Sequence, residues 1–147
     1  MYKKLIIAIS LIMIHPLCFA ETCPTILALK HSALSDWKVY DSDDGKLVSA
    51  HRATEFKRIA QQFALAEWSK GKIHCYYRDK EGSDLEAYLA KDHFALSNNK
   101  NYWYEVSGFM HCAAGMNECE FEQMGKPKQQ QFAKKAVSDI TNTNEKI

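Results

Sequence analysis

The chain has 147 residues, 46% of them hydrophobic, with 19 basic and 18 acidic side chains and a formal net charge of +1. That length suits one small domain, and the near balance of charge is not the strongly basic footprint expected of a nucleic-acid-binding domain. The charge is unevenly placed, since residues 21–124 carry a net of −4 and residues 125–147 a net of +3.

Lys3 and Lys4 precede an apolar run from Leu5 to Ile14, and Cys18-Phe19-Ala20 sets small residues where a signal peptidase reads. The pattern predicts a secretory signal peptide over residues 1–20, cleaved after Ala20. His15 and Pro16 stop the run short of the ~20 apolar residues that a spanning helix needs. Neither Cys18 nor Cys23 follows the apolar-then-small pattern of a lipid-anchor site, so export without a lipid anchor is expected. Export leaves Cys23, Cys75, Cys112 and Cys119, an even set in an oxidising compartment, which predicts structural disulfides. Only six residues separate Cys112 from Cys119, with Gly115 and Asn117 able to turn. A local bridge is therefore expected there, leaving Cys23 to pair with Cys75.

In chain order, Glu21 to Leu29 offers Ile26, Leu27 and Leu29 as anchors for either a strand or a short helix. Trp37 to Tyr40 alternates as a strand, and Lys46 to Ala50 returns as its hairpin partner across Asp44-Gly45. These aspartates do not match a calcium loop opened at Asp41: Gly45, Lys46 and Arg52 stand where a ligand, a glycine and a glutamate are due. Thr54 to Lys70 reads as one amphipathic helix. Phe56, Ile59, Ala60, Phe63, Leu65, Ala66 and Trp68 fall close to helical spacing, with Lys57, Arg58, Gln61 and Gln62 on the wet face. Gly71 is placed to close that helix in the left-handed conformation.

Ile73 to Arg78 alternates as the next strand, with Ile73, Cys75 and Tyr77 on one face and His74, Tyr76 and Arg78 on the other. Asp79 to Asp84 is turn chemistry, and Leu85 to Leu89 is the partner strand, sending Leu85, Ala87 and Leu89 beneath the helix. Tyr102 to Val106 and Phe109 to Cys112 supply further strands, with a bend allowed at Gly108, and Cys119-Glu120-Phe121 closes the sheet. The expected fold is α+β: one amphipathic helix packed on an antiparallel sheet, stapled by two disulfides. Residues 21–124 form the single domain. From Gly125 to Ile147 only Phe132, Val137 and Ile140 are sizeable apolar residues ahead of the last, which predicts a lysine- and glutamine-rich tail that is either mobile or a partner-binding segment.

No catalytic constellation is read from the sequence. His74-Cys75 and His111-Cys112 are adjacent strand residues pointing to opposite faces, so neither pair suits one metal ion, and no cofactor is expected. Asp79, Glu81, Asp84 and Glu86 read as a solvated hairpin tip, and the histidines as solvent-facing. Tyr76, Tyr88, Tyr102, Trp103 and Tyr104 are expected on the sheet face away from the helix. Exposed, they make a protein-binding patch; covered, a second packed layer.

The order Cys23-Pro24, Trp37, Phe56 to Trp68, Cys75-Tyr76-Tyr77, Trp103 and Cys112 to Cys119-Glu120-Phe121 resembles small exported bacterial proteins of unknown function. Among them it is similar to the EirA-type periplasmic proteins associated with the Dot/Icm type IV secretion system of intracellular pathogens. The resemblance implies a non-enzymatic periplasmic accessory protein that supports effector translocation and intracellular replication through protein–protein contacts. It supplies no catalytic residues and does not extend into the tail. The alternative is a small periplasmic binding or inhibitor module that uses the Tyr/Trp face. Neither reading involves nucleic acid or an integral membrane segment.

Overall fold

The computed structural model describes residues 20–31, 34, 36–98 and 100–124. The expected signal peptide and the tail lie outside the described residues, except that Ala20 begins the first strand. The fold is mixed α+β with antiparallel sheets and the two disulfides Cys23–Cys75 and Cys112–Cys119. The elements are β1 (Ala20–Glu21), α1 (Ile26–His31), β2 (Lys38–Asp41), α2 (Ala50–Ile59), β3 (Gln62–Ser69), β4 (Lys72–Arg78), β5 (Asp84–Asp92), β6 (Phe94–Leu96), β7 (Tyr104–Val106), β8 (Phe109–Cys112) and β9 (Phe121–Gln123). A six-stranded sheet runs in the order β2-β5-β4-β3-β8-β7, and a three-stranded sheet in the order β1-β9-β6.

Thr25 starts α1, its hydroxyl accepting the Ala28 N–H at 3.1 Å, so the choice left open for the first segment resolves as a two-residue strand followed by a helix. Across the aspartate turn the returning strand shrinks to a single bridge, Tyr40 to Leu47. Ser49 then caps α2 by accepting the Arg52 N–H at 3.3 Å, which starts that helix four residues before the expected Thr54. Asp41 organises the turn, its Oδ1 accepting from the backbone N–H of Asp43 at 2.9 Å and of Asp44 at 3.4 Å.

The largest departure follows Ile59. The expected helix ends there, and Phe63 to Ser69 is a strand, not its continuation. Ala60 leaves helical geometry at ψ 125°, and the Gln61 N–H donates to the Arg78 carbonyl at 2.8 Å, drawing the chain onto β4. The cause of the misreading is a bulge. Phe63 pairs with Tyr77 but Leu65 with Tyr76, so Ala64 is an extra residue in β3. The slip puts Phe63, Ala66 and Trp68 against the core, an offset that imitates a helical period. Lys70 and Gly71 both have positive φ, 48° and 82°. They form the two-residue turn between β3 and β4, so Gly71 is left-handed as expected but closes a hairpin and no helix. Ser107 and Gly108, at 51° and 84°, do the same between β7 and β8.

One face of the six-stranded sheet is covered by α1, α2 and the small sheet. Ile73, Cys75, Tyr77, Ala87 and Leu89 are buried there as their alternation predicts, with Phe56 edge-on to the Tyr77 ring at 5.9 Å. Phe94 and Phe121 pack edge-to-face at 4.9 Å, and the Trp68 indole N–H donates to the Phe94 carbonyl at 2.8 Å. Phe121 is core, but β9 belongs to the small sheet with β1 and β6 and does not close the large one. The Cys23–Cys75 bond ties the start of the domain to β4 across 52 residues, and the Tyr77 hydroxyl donates to the Pro24 carbonyl at 2.7 Å beside it.

Candidate functional site: the open face of the large sheet

The other face of the large sheet is crossed by two rows of side chains that the register fixes. Pairing aligns Lys38, Ala90, His74, Glu67, His111 and Tyr104 in one row, and Tyr40, Tyr88, Tyr76 and Leu65 in the next. Alternation then adds Val106 and Phe109 at the β7–β8 turn. Tyr104, Val106 and Phe109 are 49%, 41% and 39% exposed, together forming the apolar corner of this face.

Glu67 sits at the centre, on β3 between β4 and β8. Its two carboxylate oxygens accept separately, one from His74 Nδ1 at 2.8 Å and the other from His111 Nε2 at 3.1 Å. All three strands are thereby linked through one partly buried carboxylate. Burial, and then the charge of Glu67, push the Tyr76 phenol far above its ordinary value, so it is neutral. Burial likewise raises Tyr88, against the opposing charge of Lys72.

The rings pack on one another. Tyr40 and Tyr88 stack at 5.8 Å and 18°, while Tyr88 also meets Tyr76 at 5.2 Å and His74 at 4.8 Å. The Lys72 ammonium lies 5.7 Å from the Tyr40 ring. Ring faces are therefore consumed within the row, and edges and hydroxyls are what project. Such a surface suits a polar, hydrogen-bonding partner better than the face-on stacking of a flat ligand.

Tyr76, Tyr88 and Tyr104 stand on this face as the sequence suggests. Tyr102 is exposed but lies in the turn before β7. Trp103 is 7% exposed and part of the core cluster, so it is not available to a partner. The expectation of solvent-facing histidines fails for His74 and His111, which are partly buried on Glu67. Sequence reasoning missed the cluster because it placed Glu67 on a helix, so that His74 and His111, read as solvent-facing, had no carboxylate between their strands.

Each Glu67 oxygen is thus already engaged by one imidazole, which fixes the carboxylate between the two histidines. Among the described residues no group of three His, Cys, Asp or Glu is arranged to hold a metal ion. The open grooves lined by Lys30 and Lys57, by Arg52 and Leu85, and by Gln61 and Asp79 lie elsewhere. No helix among the described residues is long and apolar enough to cross a membrane. No family model, no curated protein and no solved structure matches this chain.

Proposed function

We propose that this is a non-enzymatic, exported protein that works by contact, capturing a protein partner on the open face of its large sheet. The observation that carries the reading is a tyrosine-rich face with an exposed Tyr104-Val106-Phe109 corner, which no described element covers. Its polar centre is rigidified by Glu67, so the surface is ordered before a partner arrives, which lowers the entropy lost on binding. Two disulfides fit an oxidising compartment. The resemblance to EirA-type proteins supports placing that contact in the periplasm beside a Dot/Icm-type secretion system, where it supports effector translocation and intracellular replication.

The test is genetic. Deleting the gene is expected to block translocation of secreted effectors while growth in rich medium continues unchanged. Normal effector delivery in the deletion strain would remove the secretion reading. A periplasmic photo-crosslinker at position 104 that captured no protein in the intact cell would remove the contact reading.

A further inference from the structure

The strongest feature that the open face leaves unexplained lies on the opposite side of the large sheet, in the groove between α1 and α2. Leu29 is its buried floor, and Lys30, Thr54, Lys57 and Arg58 line its rims. Leu27 stands three residues before Lys30 on the same side of α1. At 71% it is the most exposed large apolar side chain among the described residues. Lys30, Arg52, Lys57 and Arg58 against Glu55 alone give the two helices a net of +3, within a domain whose net is −4. Positive charge is thus concentrated on one layer of an otherwise acidic domain. Arg58 is shared with Glu55 and Arg52 with Asp41. Lys30 and Lys57 have no ion-pair partner among the described residues.

We propose that this helical layer docks on a phospholipid bilayer carrying anionic headgroups, with Leu27 entering the acyl boundary and Lys30, Lys57 and Arg58 meeting the phosphates. A cationic rim around an apolar projection is the pattern of interfacial attachment. The groove is open and its cations are solvated, so it gives a single small anion no desolvated enclosure, and a soluble anion has no use for an exposed leucine. Docked this way, the large sheet turns its tyrosine face away from the bilayer and leaves it free for a partner. The inference is independent of what that partner is.

Co-sedimentation with vesicles tests it, using the exported protein with its tail present. Binding is expected to vesicles containing phosphatidylglycerol and not to phosphatidylcholine alone, and to weaken as the screening length falls from ~10 Å at 0.1 M salt to ~3 Å at 1 M. Lys30→Ala combined with Lys57→Ala should lower binding at least about tenfold, and Leu27→Ser about fivefold. Leu27 and Lys30 are exposed and Lys57 is half-buried at the rim, with none of them in the sealed core, so circular dichroism and melting should match the parent, and Tyr104→Ser should bind as the parent does. The tail contributes five lysines of its own. Loss of binding on truncation at Gly125, with Lys30→Ala/Lys57→Ala neutral, would overturn the proposal in favour of the tail. Displacement by inorganic phosphate beyond that by chloride at equal ionic strength would overturn it in favour of a soluble-anion site. Equal binding to uncharged vesicles, or none to either, would overturn it outright.

Discussion

The two faces of the large sheet are made by alternate residues of the same strands, yet they are stabilised differently. On the covered face Val39, Leu89, Cys75, Ala66 and Cys112 lie side by side across the strands and are sealed from water. On the open face their immediate neighbours are stacked rings and one shared carboxylate, partly in contact with solvent. The first face is held by burial and covalent bonds, whereas the second is ordered by directional contacts that leave it accessible. The comparison teaches that the sealed and the accessible layers are separated here by one residue of register, so adjacent substitutions should have different consequences.

The largest effect is expected at the disulfide that crosses the covered face. Replacing Cys23 and Cys75 by serine opens a loop of 52 residues and should cost roughly 4 kcal/mol, against roughly 2 kcal/mol for the seven-residue loop of Cys112 and Cys119. Urea midpoints of the two double variants measure the difference, and equal midpoints would show that loop length does not set their contributions.

Next in size is the adjacent pair Leu89 and Tyr88. Leu89→Ala creates a cavity in a sealed core and should destabilise by about 2–5 kcal/mol. Tyr88→Ala removes ring stacking on the accessible face and should destabilise by about 1 kcal/mol. Denaturation of both in one buffer checks the order, and a reversed order would mean that the faces are misassigned.

A third expectation concerns alkaline pH and sets a buried tyrosine against an accessible one. Burial holds the Tyr77 phenol far above its ordinary value of 10.0. A raised folded value means that the contribution is complete below pH 10.0 and is lost as pH rises beyond it, because the unfolded chain releases its proton first. Melting temperature should therefore decline above that pH. Tyr77→Phe should flatten the decline, while losing about 1 kcal/mol at neutral pH with the hydrogen bond to the Pro24 carbonyl. An unchanged alkaline profile in Tyr77→Phe would assign the decline to other groups.

The smallest effect is expected at the aspartate turn. The Asp43 N–H, and then the Arg52 guanidinium, hold Asp41 below the usual carboxylate range. Its contribution is present above the unfolded carboxylate value and fades as pH falls through the folded one. Asp41→Asn should accordingly shift melting slightly at neutral pH and not at all in strong acid, where both side chains are uncharged.

Much of this was legible in the sequence where local pattern and tertiary structure agree. Ile73 to Arg78 alternates without interruption, and its pairing with the strand through Leu85 to Leu89 follows. Cysteine spacing anticipates both bridges. Legibility ended at Ala64, where one bulged residue shifts Phe63 out of phase with Ala66 and Trp68 and lets a strand carry helical spacing. Nothing local to Phe63 to Ser69 distinguishes the two; the Gln61 N–H on the Arg78 carbonyl and pairing with both β4 and β8 decide it. The candidate site was lost with that strand, since Glu67 meets His74 and His111 only when β3 lies between their strands. The burial of Trp103 was illegible for a related reason: it depends on how the turn at Tyr102 enters β7, which the Tyr102-Trp103-Tyr104 run does not reveal.

The central claim is that the open face acts by contact. Its most direct test is effector delivery by the deletion strain complemented with Val106→Ser/Phe109→Ser, two exposed positions remote from the sealed core. The account predicts a stable, disulfide-bonded protein at parental level in the periplasm and loss of delivery, with Gln61→Ala, on the far side, delivering normally. Full delivery by Val106→Ser/Phe109→Ser would contradict it.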